Sequence, residues 1–384
     1  MSDERAVVTI NGKEFRDWEA VQATASSAES IRYVQLQVTE AVGANGSVGQ
    51  ALQIKPGDAC TVTLGGELFL TGTVFERQAA YDSNSHVVRV TAASTTQAAS
   101  INAVPVKDAT FTNYSLGAIA NKLLGPLGIK LKTDNVDAGW SKPFPRIIAE
   151  PGESVWSLLT RLSRYRSVKL TDDAEGNLIA HSKADPNSKA SLVEGVNILA
   201  ASCQIQNSPG TKGDLYAQQP GSDTVSGDQA RSGAATGTAK GGNATVTRVT
   251  VADIPADADD IKRLGETEQL IAASQQVSVQ ITTQGWLKTN GKLLKPFDAI
   301  DVDSPMLIMK TDRLQLDQVL YSQDANGTKT TVLLKKNLSP KGDLNAEPTT
   351  PSAAEEATRD TSEPGDVKVV TDGPKGNETV EVAS

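Results

Sequence analysis

PGESVWSLLTRLSRYRSVKL, residues 151–170, is the stretch where the chain changes period. It opens on a turn and an acid. Val155, Leu158, Leu159, Leu162 and Tyr165 then recur at helical spacing, which predicts an amphipathic helix with one apolar stripe. Val168-Lys169-Leu170 follows as a strand. The same order occurs upstream in YSLGAIANKLLGPLGIKLK. There Leu116, Ile119, Ala120, Leu123 and Leu127 keep the helical spacing, Pro126 limits the helix, and Ile129-Lys130-Leu131 reads as a strand. The two pieces align over 17 residues at an offset of 39, placing Ser115 on Ser154 and Leu123 on Leu162. This is either a duplicated helix–strand unit or two solutions of one packing problem. Asp172, Asp173, Glu175 and Gly176 read as a hairpin turn into Leu178-Ile179-Ala180. Residues 105–188 are therefore expected to form a small α/β domain.

The period on either side of this domain is two. In residues 1–104, Asn11-Gly12 separates two short runs, a hairpin signal, and RYVQLQVTE alternates Val34, Leu36 and Val38 with Gln35 and Gln37. KPGDACTVTLGGELFLTGTV contains a Pro-Gly turn, an alternating strand, a Gly65-Gly66 turn and a further strand with a break at Gly72. Short strands with closely spaced turns predict a sandwich or barrel. Residues 189–338 return to strand in GVNILAASCQIQ, lose pattern in a Gly/Ser-rich stretch at 207–247, and read as helix over 257–275. VSVQI, DAIDVDS, MLIMKT, LDQVLYS and TKTTVLLKK then follow as strands, the last two joined by Asn326-Gly327. Residues 339–384 read as an acidic disordered tail. From Ser339 onward there are ten acids against four bases, which accounts for six of the nine net negative charges. The expected fold is thus mainly β with an α/β insertion.

Few residues point to chemistry. The two histidines, His86 and His181, stand at strand ends with no ligand-spaced neighbours, so no metal or cofactor is expected. There is no nucleophile elbow and no phosphate-binding loop. Glu150 and Glu153 are the one acid pair to weigh for glycan hydrolysis. Glu153 is better read as a charge in the first helical turn, where the helix dipole favours it. Cys60 and Cys203 read as buried free thiols, with a single bridge between them as the alternative. Trp18, Trp140, Trp156 and Trp286 read as packing or interface anchors. The body is close to neutral, which excludes a chain-wide nucleic-acid footprint. Arg161, Arg164, Arg166 and Lys169 cluster at the end of the opening helix. They read as dipole complements on a solvated face, or as contacts to an acidic partner subunit or to passing DNA. No apolar h-region and no run of about 18 apolar residues occurs, so a soluble protein folded in a cytoplasm, without a membrane span, is expected.

The order and spacing of these pieces resembles the baseplate hub proteins of contractile phage tails, in particular the Mu-like tail hub family. The resemblance spans residues 5–340. It is carried by INGKEFRDWEAVQATASSAES, KPGDACTVTLGGELFLTGTVFE, YDSNSHVVRVTAAS, the two helix–strand pieces, and the closing strands from Gly285 to Lys336. At TAASTTQAASINAV the sequence departs from the family, which more often has a Gly-Arg pair after the strand and an acid further on. Late-control D and type VI secretion spike hub proteins share the design.

The resemblance implies two tube-like β-barrel domains and a ring-shaped homotrimer with no enzymatic activity. The ring joins the hexameric tail tube to the trimeric central spike and encloses a channel for DNA. The implied partners are the tube, spike and baseplate wedge proteins, the tape-measure protein, and passing DNA by non-specific contact. The implied location is the virion tail baseplate, with the host cytoplasm during assembly. A tail-associated peptidoglycan hydrolase and a receptor-binding tail protein are the rival readings.

Overall fold

The computed structural model describes residues 4–336 apart from 17, 40–53, 83–85, 135, 183–184, 207–210, 218–233, 236–245, 255, 257, 287 and 290, together with 369–370. Most of the Gly/Ser-rich stretch and, but for Val369–Val370, the acidic tail lie outside the described residues. The chain opens with β1 (Ala6–Ile10), β2 (Lys13–Phe15), β3 (Ala20–Ser26), β4 (Tyr33–Thr39), β5 (Ala59–Leu64), β6 (Glu67–Tyr81) and β7 (His86–Ser94). Asn11 and Gly12 both take positive φ (49° and 78°), as do Gly65 and Gly66 (55° and 81°). Two consecutive positive φ values match the right-handed twist of the flanking strands, which is why these dipeptides close the hairpins. Gly72 does not break its strand. A Cβ there would sit 1.9 Å from the carbonyl oxygen of Ala93, so glycine admits the close approach of β7. The ladder is irregular two residues on, between Val74 and Glu76.

The middle of the chain holds α1 (Gln97–Ile101), β8 (Thr110–Ser115), α2 (Leu116–Leu124), β9 (Leu131–Asp134), β10 (Pro143–Ile148), α3 (Val155–Arg164), β11 (Lys169–Asp172) and β12 (Leu178–His181). Helix α2 is followed by β9, and α3 by β11. Helices α2 and α3 start 39 residues apart and share one device: the Ser115 hydroxyl accepts from the Ala118 amide and the Ser154 hydroxyl from the Ser157 amide. Strand β12 lies between β11, antiparallel to it, and β9, parallel to it. Val155, Leu158, Leu159, Leu162 and Tyr165 are all buried and pack with α2 and this sheet.

The remainder comprises β13 (Asp185–Val193), β14 (Ala200–Ile205), β15 (Thr211–Ala217), β16 (Ala234–Ala235), β17 (Val246–Ala252), α4 (Ala258–Ser274), β18 (Val277–Gln284), β19 (Lys288–Thr289), β20 (Lys292–Leu293), β21 (Asp298–Ser304), β22 (Met309–Asp324) and β23 (Gly327–Lys335). Residues 306–311 and 316–322, read as separate strands, are largely merged in β22, which bulges between Leu316 and Gln318. The last hairpin turns one residue early, with Gly327 (φ 100°) opening β23 opposite Asp324. Helix α4 was expected in the second β region. Instead Leu264 and the preceding Ala252, Ile254 and Ala256 bury in the core formed by α2 and α3. The chain thus returns to the α/β module and covers part of its apolar core.

The two β regions are not separate sheets, and no closing pair of a barrel appears among the described residues. Their strands form one path, β14-β18-β23-β22-β3-β4-β7-β6-β5-β1-β2, with β13-β21 attached to β22. One core serves both halves, Val8, Leu36, Val62 and Val90 clustering with Ile281, Val302, Val319 and Leu334. The halves are internally equivalent. The order β1-β5-β6-β7-β4-β3 repeats as β13-β21-β22-β23-β18-β14. Even the irregularity repeats: Val74 faces Ala92 and Glu76 faces Thr91, while Leu316 faces Leu334 and Gln318 faces Leu333. The difference is at one end, where β1 runs antiparallel to β5 but β13 runs parallel to β21. The seam between the halves is the antiparallel pair β22·β3, from Gln318↔Ser26 to Gln323↔Val21.

Candidate interfaces and the module junction

The four basic residues singled out from the sequence do not share one surface. Arg161 grips Glu153 through two bonds of 2.9 and 2.8 Å and reaches Asp253 at 3.3 Å. Glu153 thus precedes the helix cap and is spent in an ion pair, while its carboxylate also accepts from the Glu150 amide. Arg164 is half-exposed and lies 3.3 Å from Glu268 of α4. Arg166 is fully buried, its guanidinium 3.7 Å from the centre of the Phe144 ring and 2.7 Å from Asp260. Lys169 is half-buried, donating to the Ser27 hydroxyl at 3.2 Å and lying over the Phe297 ring; desolvation lowers its pKa. For Arg166 and Lys169 the expected solvated face is corrected to interior contacts. The acid Asp260 for Arg166, and Ser27 and Phe297 for Lys169, lie roughly a hundred residues away in sequence, in α4 and the β halves, where no local pattern could have pointed to them. Tyr165 joins the same web, bonding the carboxylate and amide of Asp253, and burial raises its pKa.

The α/β module is seated on both β halves at once. Arg32 bonds Asp172 at 3.4 Å, its carbonyl at 3.2 Å and the Phe69 carbonyl at 2.9 Å. Asp172 is therefore not the solvated turn residue that the sequence suggested. Burial raises its pKa, and the neighbouring Arg32 opposes the shift. Ser30 donates to the Leu170 carbonyl at 2.6 Å. Gly176 (φ 80°) is packed so that a Cβ would meet Thr95 and Thr71 at 2.7 and 2.9 Å. On the other half, Ser27 donates its hydroxyl to Asp317, which also pairs with Lys335 at 2.6 Å. His181 stacks on Phe297 at 5.2 Å, with Nε2 2.8 Å from the Thr171 hydroxyl. Cys60 and Cys203 are free thiols. Trp18 and Trp286 are buried, and Trp140 and Trp156 pack against the α/β core.

What remains open is the sheet's periphery. Among the described residues, β14 has a strand partner on one side only, β18. It carries no charge and no proline, the usual guards of an edge strand, and Leu199 and Ile205 beside and within it are more than half exposed. Beyond Val74, β6 runs past β5 and pairs with β7 alone as far as Tyr81, which is 82% exposed. No group of three or more His, Cys, Asp or Glu residues is placed to hold a metal among the described residues.

Comparison with known proteins agrees with this picture. Residues 5–93 match the family of Mu phage baseplate assembly protein GpP-like N-terminal domains, and residues 102–181 match the second domain of gp44-like baseplate hub proteins. The baseplate hub protein gp44 of Escherichia phage Mu is 26% identical over 332 residues, covering 84% of this chain and 86% of that protein. The 43 kDa tail protein of prophage MuSo2 from Shewanella oneidensis has the same fold, with a TM-score of 0.69 at 24% identity over 88% of this chain and 98% of its own. An Escherichia coli component of the type VI secretion system shares it at a TM-score of 0.54 and 11% identity, over 88% of this chain and 79% of its own. Two successive domain models and a relative aligned along most of its length make this chain similar to the baseplate hub proteins of Mu-like phage tails.

Proposed function

We propose that the chain is the subunit of a ring-shaped homotrimer at the baseplate of the virion tail, assembled in the host cytoplasm. The observation that carries this is the open sheet of two equivalent halves ending in the unguarded strand β14. An exposed, uncharged edge is a template for further strand pairing, and a closed cyclic assembly removes it. Two equivalent halves per chain would give a trimer six similar units, the number needed to match a hexameric tube, while three chains match a trimeric spike. The ring would join the two and enclose a channel for DNA, with wedge and tape-measure proteins as further neighbours. Each half of the chain is a tube-like unit in this scheme, closed by its neighbours rather than by itself.

The rigid seating of the α/β module on both halves supports an adapter that transmits load. Of the basic residues singled out, Arg164 and in part Arg161 are accessible for partner or channel contact. The hydrolase alternative loses its acid, since Glu153 is held by Arg161. The deciding experiment is the absolute mass of the purified full chain by light scattering behind a sizing column, followed by imaging of the particle. A concentration-independent mass of three chains with a central hole is expected. A stable monomer that also fails to bind purified tube and spike proteins would overturn the proposal.

A further inference from the structure

The chain already makes one contact between equivalent halves, and that contact specifies the next one. Through the shared ladder irregularity, Glu76 of β6 is equivalent to Gln318 of β22, and Thr91 to Leu333. Thr91 faces Gln35 and Leu333 faces Gln280. Gln35 faces Gln22 and Gln280 faces Ser202. Strand β14 of the second half is therefore the counterpart of β3 in the first, with Ser202 at the place of Gln22. Within the chain, β3 pairs with the outer half of β22. Among the described residues, the counterparts of those two strands, β14 and the outer half of β6, have no such partner.

The side chains agree with the equivalence. Along β3 the residues turned inward at the seam are Val21, Ala23 and Ala25, all buried. Their counterparts Ala201, Cys203 and Ile205 are also apolar, yet Ala201 and Ile205 are exposed and Cys203 is half-buried. The alternate positions are polar in both strands: Gln22 and Thr24 in one, Ser202 and Gln204 in the other. An apolar face patterned for burial and left in solvent is a face made for a partner.

We infer that β14 of one copy adds antiparallel to residues 76–81 of β6 in a second copy, in the register of the β22·β3 seam. This places Ile205 opposite Arg77, Cys203 opposite Ala79, and Ala201 opposite Tyr81. The occupant is a second copy of this chain because the chain carries both edges and already joins their counterparts once. The contact is head-to-tail, so it propagates and must close; that it closes at three copies rests on the ring proposed above.

The native Cys203 supplies the test. Ala79→Cys should form an intermolecular disulfide with it under mild oxidation, giving dimers and trimers on a non-reducing gel. Cys60 is a bystander, being buried with its thiol pushed up to about 12. Ala80→Cys, one residue out of register and on the opposite face, should crosslink less by on the order of tenfold, because a disulfide needs a narrow Cα separation and facing Cβ vectors. Ala79→Cys with Cys203→Ser should not crosslink at all. Both changed alanines are exposed in the folded chain, so the variants are expected to fold. Crosslinking by Ala79→Cys that matches the two controls, in protein that light scattering shows to be oligomeric, would overturn this register and leave the ring standing. No crosslinking in protein that stays monomeric would overturn both.

Discussion

Arg32 and Asp172 stand 140 residues apart in the chain and form an ion pair buried between the N-terminal β half and the α/β module. The pair is a latch: Arg32 also holds the carbonyls of Phe69 and Asp172, one on each side of the junction. Arg32→Ala leaves a buried carboxylate unpaired, so it should destabilise the chain by about 3–5 kcal/mol in chemical denaturation. Asp172→Asn keeps a polar group of the same shape and should cost less.

The same pair has a pH signature. The folded-state pKa of Asp172 is raised by burial, so ionising it works against the fold. Its contribution to stability is greatest below the ordinary carboxylate value of about 3.9 and falls as pH rises through the raised folded value. Without Arg32 the pKa rises further, because the arginine's charge is what opposes the burial. The stability deficit of Arg32→Ala should therefore be larger at neutral pH than in mild acid. A deficit that is equal at both pH values, read from denaturation midpoints, would mean that the carboxylate is not carrying it.

Arg166 should behave as the pin of α4. It is buried between the Phe144 ring and Asp260, so Arg166→Ala removes a stacked side chain and one partner of a buried acid. Lys142, 3.0 Å from Asp260, remains to offset part of the loss. A destabilisation of about 3 kcal/mol is expected, with early hydrogen exchange localised to residues 258–274. Replacing both Arg166 and Asp260 with apolar residues should recover much of it, since a buried pair is no better than a well-packed apolar one.

The elements of this fold were legible where the signal was local. Helix α3 and its buried stripe follow from the spacing of Val155, Leu158, Leu159 and Leu162. The first hairpins follow from Asn11-Gly12 and Gly65-Gly66, because positive φ at two successive residues is a local demand. What was not legible is long-range. The pairing of Arg166 with Asp260 and of Lys169 with Ser27 and Phe297, the docking of α4 on the α/β core and the joining of both halves into one sheet are set by contacts across about a hundred residues or more. The repeat of the halves was hidden for a related reason. Pairs such as Val21 and Ala201 or Ala23 and Cys203 keep the period-two pattern while sharing no identity, so only the registers reveal it.

Gly72 tests how tightly β6 and β7 approach. A methyl group added there would collide with the Ala93 carbonyl and neighbouring backbone, which cannot move without shifting the ladder. Gly72→Ala should therefore cost about 3 kcal/mol, at the upper end for overpacking. A small change in the denaturation midpoint would show that the strands can separate locally, and the close approach would then not be what requires glycine.

Ile308 offers the opposite expectation, a gain. It is 83% exposed in the loop before β22 and sits in the left-handed region, at φ 61° and ψ 38°. A β-branched residue there costs about 1–2 kcal/mol. The loop holds it in place from both sides: Leu307 and Met309 bury in the β core, and the Glu194 carboxylate accepts from the Met306 amide at 3.2 Å and the Ser304 hydroxyl at 2.5 Å. Because the side chain itself is out in solvent, little packing is lost by removing it. Asparagine tolerates this backbone conformation, so Ile308→Asn should raise stability by about 1 kcal/mol. An unchanged or lowered stability would show that the isoleucine side chain earns its place through contacts within the chain, and that the strain is smaller than its dihedral angles imply.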